Sequence, residues 1–257
     1  MEKEQYLLTI EYLGFRFHGF QKQTNAKTVQ EFLDKTINYV LESQQFKTFS
    51  SSRTDTMVSA HKMLVLLQTR GKIEKENFLE ELNQNLPTDI RALEFKYHPE
   101  KINIIGDVKE KTYHYYFSIG DKINPMAAPF MHNFQMELDL DLMQKACKEF
   151  LGVKNYFHYC YKGTEEKDYQ RELVEVQIYE NDIINANFFP EKSYYLKVRG
   201  KGFLRHQIRL MMGALVNVAC REISLEELSE SLKDNYRGKK VNFIAPAAGL
   251  VLYDISF

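Results

Sequence analysis

Three stretches of the 257-residue chain carry side chains whose types and spacing could do chemistry. The first is SSRTDTMVSA, residues 51–60, where Asp55 sits in a short polar loop ahead of an apolar run, beside Arg53 and Thr54. A guanidinium next to a carboxylate favours the ionised form that a nucleophile or base needs at neutral pH. The same spacing also suits an Asx-turn, in which the carboxylate caps backbone N–H groups. The second stretch runs from Lys192 to Arg221. It holds Lys192, Lys197, Arg199, Lys201, Arg205, Arg209 and Arg221 and no acidic residue. Read as a helix from about Phe203 to Ala219, it puts Arg205 and Arg209 one turn apart on one face. It also puts both near a helix N-terminus, where the macrodipole disfavours cations. Phosphates or an internal carboxylate would resolve that conflict, and a solvated basic face is the plain alternative. The third stretch is KTYHYYF, residues 111–117. As a strand it sets Tyr113, Tyr115 and Phe117 on one face and His114 and Tyr116 on the other. Such rings can stack on nucleobases or simply form core.

Other chemistries are disfavoured. The chain holds no P-loop, dinucleotide fingerprint, HExxH, G-x-S-x-G or paired Cys-x-x-Cys motif. His158 and Cys160 are close but lack two further ligands at zinc-like spacing.

The elements that must position these residues are legible in the periodicity. A strand is expected at 6–12 and a helix from Thr28, with Val29, Phe32, Leu33, Ile37, Val40 and Leu41 on one stripe. Thr28 and Glu31 have the capping-box spacing. A strand at 63–68, a helix at 74–86 stopped by Pro87 and a strand at 90–97 follow. In the second half, strands are expected at 113–119, 172–180, 193–199 and 250–257. Helices are expected at 140–151 with Gly152 at the C-cap, at about 203–219, and after the Ser224–Glu227 cap. This mixture predicts an α+β protein of two similar-sized lobes, residues 1–105 and 106–257, with antiparallel sheets flanked by helices.

Composition sets the class. The chain is 44% hydrophobic and 27% charged, as an ordinary globular protein is. Three scattered cysteines, Cys147, Cys160 and Cys220, form no disulfide framework and favour a reducing, cytoplasmic setting. No apolar run approaches the roughly 20 residues that span a bilayer. The opening MEKEQYLLTIEY does not have the form of a signal peptide. Thirty-four Lys and Arg against 35 Asp and Glu give a net charge of −1, which excludes a uniformly basic nucleic-acid binder. The charge is nonetheless segregated: Glu222, Glu226, Glu227, Glu230 and Asp234 follow the basic block and cancel it in the sum. A localised patch with salt-sensitive binding is what that pattern predicts.

Taken in order, the stretches resemble the TruA-type tRNA pseudouridine synthases from end to end. The carrying segments are YLGFRFHGFQKQ (12–23), TVQEFLDKTI (28–37), SRTD (52–55), LNQNLPTDI (82–90), KTYHYYF (111–117), VRGKGFLRHQIRLMMGAL (198–215) and APAAGLVL (245–252). The resemblance implies two lobes of the pseudouridine synthase type around a central RNA-binding cleft. It implies that Asp55 is the catalytic aspartate, that Tyr113 lies against the target base and that Arg209 pairs with the carboxylate. Arg53 and Leu250 are implied contacts of the flipped nucleotide, and Arg199, Lys201, Phe203 and Arg205 are expected to bind the substrate. No cofactor and no metal is implied. The expected partners are the anticodon stem-loop of tRNA and a second copy of the chain. A related enzyme with another RNA target, or an RNA-binding protein without catalysis, are the alternatives.

The chain departs from the family pattern at several points. Ser52 and Met57 stand where the loop usually has glycine, Ser59 where it often has histidine, and Phe20 where tryptophan is usual. Ile105 replaces an expected arginine, and Lys154–Asn155 replace a His-Asp pair. These changes bear on RNA contacts more than on the catalytic set.

Overall fold

The computed structural model describes residues 3–42, 45–161, 168–238 and 241–257. By their contacts these divide into two units: residues 1–109 with 252–257, and residues 110–251. Each is a mixed α/β unit on a mostly antiparallel sheet, the fold class expected from the sequence.

The first unit contains β1 (Lys3–Tyr12), α1 (Val29–Val40), β2 (Phe46–Ser50), β3 (Ser59–Arg70), α2 (Phe78–Asn85) and β4 (Ile90–Tyr97). β1 lies between β3 and β4, antiparallel to both. β2 pairs with residues 65–69 of β3. β3 is the buried run foreseen in the sequence, with Met63 to Leu67 inaccessible. α1 begins as predicted, Thr28 Oγ1 accepting the Glu31 N–H, and buries Val29, Leu33, Ile37 and Val40. α2 is shorter than the expected 74–86. Residues 74–77 are Glu-Lys-Glu-Asn and offer no apolar face, so the helix starts at Phe78, the first side chain it can bury. Leu86 is extended ahead of Pro87, as the proline ring requires.

The second unit contains β5 (Glu110–Ile119), β6 (His132–Phe134), α3 (Leu140–Cys147), β7 (Gly152–Asn155), β8 (Gln170–Glu180), β9 (Tyr194–Gly200), α4 (Gln207–Ala219) and α5 (Leu225–Glu230). The closing strand β10 (Leu250–Ser256) begins in this unit, and its residues from Leu252 onward group with the first. β5, β9, β8 and β7 follow one another antiparallel, and β6 runs parallel to β5. The predicted 140–151 helix ends at Cys147 and tightens into a 3₁₀ turn over Lys148–Phe150. Gly152, at a φ of 80°, then starts β7. α5 carries the full capping box of Ser224 and Glu227. The short strands β2, β6 and β7 have no periodic signature and were not expected.

One correction bears on chemistry. α4 starts at Gln207, four residues later than the sequence predicts. His206 takes a left-handed conformation (φ 63°), which a helix cannot continue through. The preceding turn is closed by Gln207, whose Oε1 accepts the Leu204 N–H at 2.8 Å. Arg205 therefore precedes the helix and does not share a helical face with Arg209.

Candidate active-site elements

Asp55 lies in the loop between β2 and β3, half-buried, with Arg53 exposed and Thr54 buried beside it. Segment 12–23 holds this loop. The Tyr12 hydroxyl is 2.8 Å from Thr54 Oγ1 in a buried setting. Phe20 N–H donates to the Thr54 carbonyl at 3.2 Å, and Met57 N–H donates to the Phe17 carbonyl at 3.0 Å. Gly14 N–H donates to Ser59 Oγ at 2.9 Å. The two glycines of the segment are required by proximity. A Cβ on Gly14 would stand 2.1 Å from the Val58 carbonyl oxygen, and one on Gly19 2.6 Å from that of Thr54. Gly19 also has a φ of 88°, a conformation glycine enters without steric cost.

The other segments of this unit that carry the resemblance join the same knot. Val29 and Gln30 N–H groups donate to the carbonyls of Gly19 and Phe20, seating the start of α1. Arg16 forks onto the Asp89 carboxylate, Nη2 to Oδ1 at 2.7 Å and Nε to Oδ2, and Leu13 N–H donates to the Asp89 carbonyl. The hydrogen-bonded carboxylate holds the Arg16 guanidinium above its usual pKa. Asn83 donates to and accepts from the backbone of Ala92, tying α2 to β4. Met57 has a φ of 65°, the left-handed geometry that explains why glycine suits this position. Phe20 is buried beside Tyr12, so the aromatic ring keeps a packing role.

In the second unit, Tyr113 is buried on β5 and meets Phe203 edge-on, with ring centroids 5.2 Å apart. Tyr115, on the same strand face, donates its hydroxyl to the Pro246 carbonyl at 2.8 Å. Arg209, half-buried on α4, donates from Nε to the Ala245 carbonyl at 2.7 Å, and Ala245 N–H returns a bond to the Arg209 carbonyl. One turn further along α4, a Cβ on Gly213 would fall 2.0 Å from the Phe243 carbonyl oxygen, so glycine lets segment 243–245 lie against the helix. Gly249 likewise sits where a Cβ would be 2.5 Å from the Tyr116 carbonyl oxygen, and Leu250 follows it, buried. The 111–117, 198–215 and 245–252 segments thus meet around Tyr113, Tyr115 and Arg209.

The basic block is not one surface. Arg199 is opposite Thr112 in the β5–β9 register, on the sheet face away from Tyr113 and Tyr115. It forks onto Glu110 at 2.9 and 3.0 Å and reaches Glu175 at 3.0 Å. Lys197 also reaches Glu175, at 3.1 Å. Internal carboxylates from neighbouring strands therefore resolve part of the charge conflict seen in the sequence. Lys201 is exposed in the turn after β9. Arg205 is exposed too, its guanidinium 4.4 Å from the centre of the Tyr161 ring.

Sequence reading overlooked Tyr12 as the residue that grips the loop, because a tyrosine ending an apolar strand reads as core. The sequence sets Tyr115 on the Tyr113 face, but its link to Pro246 depends on the fold. Asn155, one of the departures, ties β7 to the stretch after α5: its side chain donates to Asp234 at 2.7 Å and its N–H to the Leu232 carbonyl.

Comparison with known proteins gives the family. A family described as tRNA pseudouridine synthase matches residues 8–104 and 146–257. A protein named tRNA pseudouridine synthase A from Aster yellows witches'-broom phytoplasma is 30% identical over 98% of each chain. Its namesake from Phytoplasma mali is 29% identical over the whole of both chains. That from Thermotoga maritima is 29% identical over 96% of this chain and 97% of its own. With both segment clusters folded as coherent units and full-length relatives of one kind, the chain belongs to the tRNA pseudouridine synthase family, the isomerases that form pseudouridine in tRNA.

Proposed function

We propose that the protein isomerises uridine to pseudouridine in the anticodon stem-loop of tRNA, with Asp55 as the catalytic carboxylate. The C1′–N1 bond breaks, the base turns, and a C1′–C5 bond forms; C5 loses a proton and N1 gains one, so nothing is oxidised or reduced. The carboxylate either attacks C1′ or stabilises the detached base. The target nucleotide must leave the stack, and Tyr113 offers a ring against it. Arg209 takes the role the resemblance gives it, as the cation of the catalytic carboxylate, and Arg53, Leu250, Phe203, Lys201 and Arg205 hold the flipped nucleotide and its strand. The enzyme works in the cytoplasm as a homodimer whose two copies share one tRNA.

The observation that supports this reading most is the grip on the Asp55 loop by Tyr12, Gly14, Phe17, Gly19 and Phe20. Catalytic groups need such pre-set geometry, since a small misplacement costs large factors in rate. The test is to incubate the purified protein with total RNA from a strain lacking it and map pseudouridines chemically. New sites in the anticodon arm are expected. Sites confined to other RNA positions would replace the target, a reading favoured by Ile105, 69% exposed where the family pattern has arginine. No site at all would leave a binding protein.

A further inference from the structure

The catalytic arginine of a pre-organised site must be held by something, and in the second unit the holder is visible. Arg209 Nε donates to the Ala245 carbonyl at 2.7 Å, which fixes the plane of the guanidinium and directs its Nη edge. Ala245 is in turn held by its own N–H on the Arg209 carbonyl at 3.1 Å. The next residue, Pro246, has no N–H with which to anchor itself. Its carbonyl is instead taken by the Tyr115 hydroxyl at 2.8 Å, from a side chain with no exposed surface. Gly249 closes the same segment over that ring, where a Cβ would stand 3.2 Å from Tyr115 Cζ.

We propose that Tyr115 is a positioning residue for the isomerisation: by fixing Pro246 it fixes Ala245, and Ala245 sets the orientation of Arg209. This rests on the reading of Arg209 as the partner of the catalytic carboxylate. Burial pushes the Tyr115 hydroxyl far above its usual pKa, and the Arg209 charge pulls the other way. The phenol therefore stays neutral and remains a donor at every working pH. A phenylalanine would fill the same space, and it would leave the Pro246 carbonyl without this donor.

The experiment is a double-mutant cycle on the full-length protein, with Tyr115→Phe, Arg209→Lys and the double variant, each assayed for kcat and KM on an unmodified tRNA transcript. Tyr115→Phe is expected to lower kcat about tenfold with little change in KM. The double variant should be scarcely slower than Arg209→Lys alone, because the two changes damage the same thing. A thermal melt of Tyr115→Phe confirms that the variant is folded. A kcat within about twofold of wild type would overturn the proposal, and so would losses that multiply independently. If Arg209→Lys itself turns over at the wild-type rate, the reading of Arg209 falls, and that result is distinguishable from a failure of Tyr115 alone.

Discussion

The Tyr12 hydroxyl and Thr54 Oγ1 stand 2.8 Å apart in the buried interior of the first unit, linking the end of β1 to the residue before Asp55. This is a side-chain bond between positions 42 apart in sequence, and it sets where the aspartate backbone begins. Tyr12→Phe removes one partner and leaves the buried Thr54 hydroxyl short of a bond. Stability should fall by about 1–2 kcal/mol in denaturant unfolding, with turnover reduced as the loop loosens.

Gly19→Ala should be more damaging. The new methyl would meet the Thr54 carbonyl oxygen and also has to adopt a φ of 88°. A loss of about 3 kcal/mol or more is expected. Gly71 gives the control: its φ is 86°, and among the described residues nothing lies within 4 Å of a Cβ there. Gly71→Ala should cost only the backbone strain, about 1–2 kcal/mol.

Met57 holds a left-handed φ of 65° without being glycine. Met57→Gly relieves that strain but adds freedom to the unfolded chain, so stability should stay within about 1 kcal/mol of wild type. Met57→Val, β-branched and poorly suited to this region, should lower the melting temperature clearly. Parallel melts of the two variants check this.

Lys111, on the same face of β5 as Tyr113 and Tyr115, is pushed down by burial to a pKa of about 8. Below that value the folded and unfolded chains both carry its proton, and the full cost of the buried charge is present. Between about 8 and the usual 10.5 only the unfolded chain holds the proton, so folding gains stability as pH rises. Lys111→Met should therefore stabilise the protein at pH 7 by up to about 3 kcal/mol, and the gain should shrink above pH 8. Unfolding measured across that range reads the difference.

Arg205 and Arg199 should behave differently toward RNA although they are six positions apart in one basic block. Arg205 is exposed, whereas Arg199 is already engaged by Glu110 and Glu175. Arg205→Ala should weaken tRNA binding and reduce the salt slope by about one. Arg199→Ala should leave the slope unchanged and lower stability instead.

These contrasts mark what the sequence could and could not convey. α1, β3 and the Ser224 cap were legible because each is a local pattern with a local cause. The late start of α4 was not, because a left-handed His206 has no signature in residue type. Arg199 and Arg205 look alike in a row of cations, and only cross-strand register separates the paired one from the exposed one. Asp55, Tyr113 and Arg209 stand out in the sequence by type and order. The residues that hold them, Tyr12, Gly19, Tyr115 and Ala245, are connected across tens of positions and become visible only in the fold.

The most direct test of the account is Asp55→Asn, assayed for pseudouridine formation in a single turnover on an unmodified tRNA transcript, with tRNA binding measured alongside. The side chain keeps its shape and loses its charge. The account predicts binding at wild-type affinity and no pseudouridine formed; turnover at the wild-type rate would contradict it.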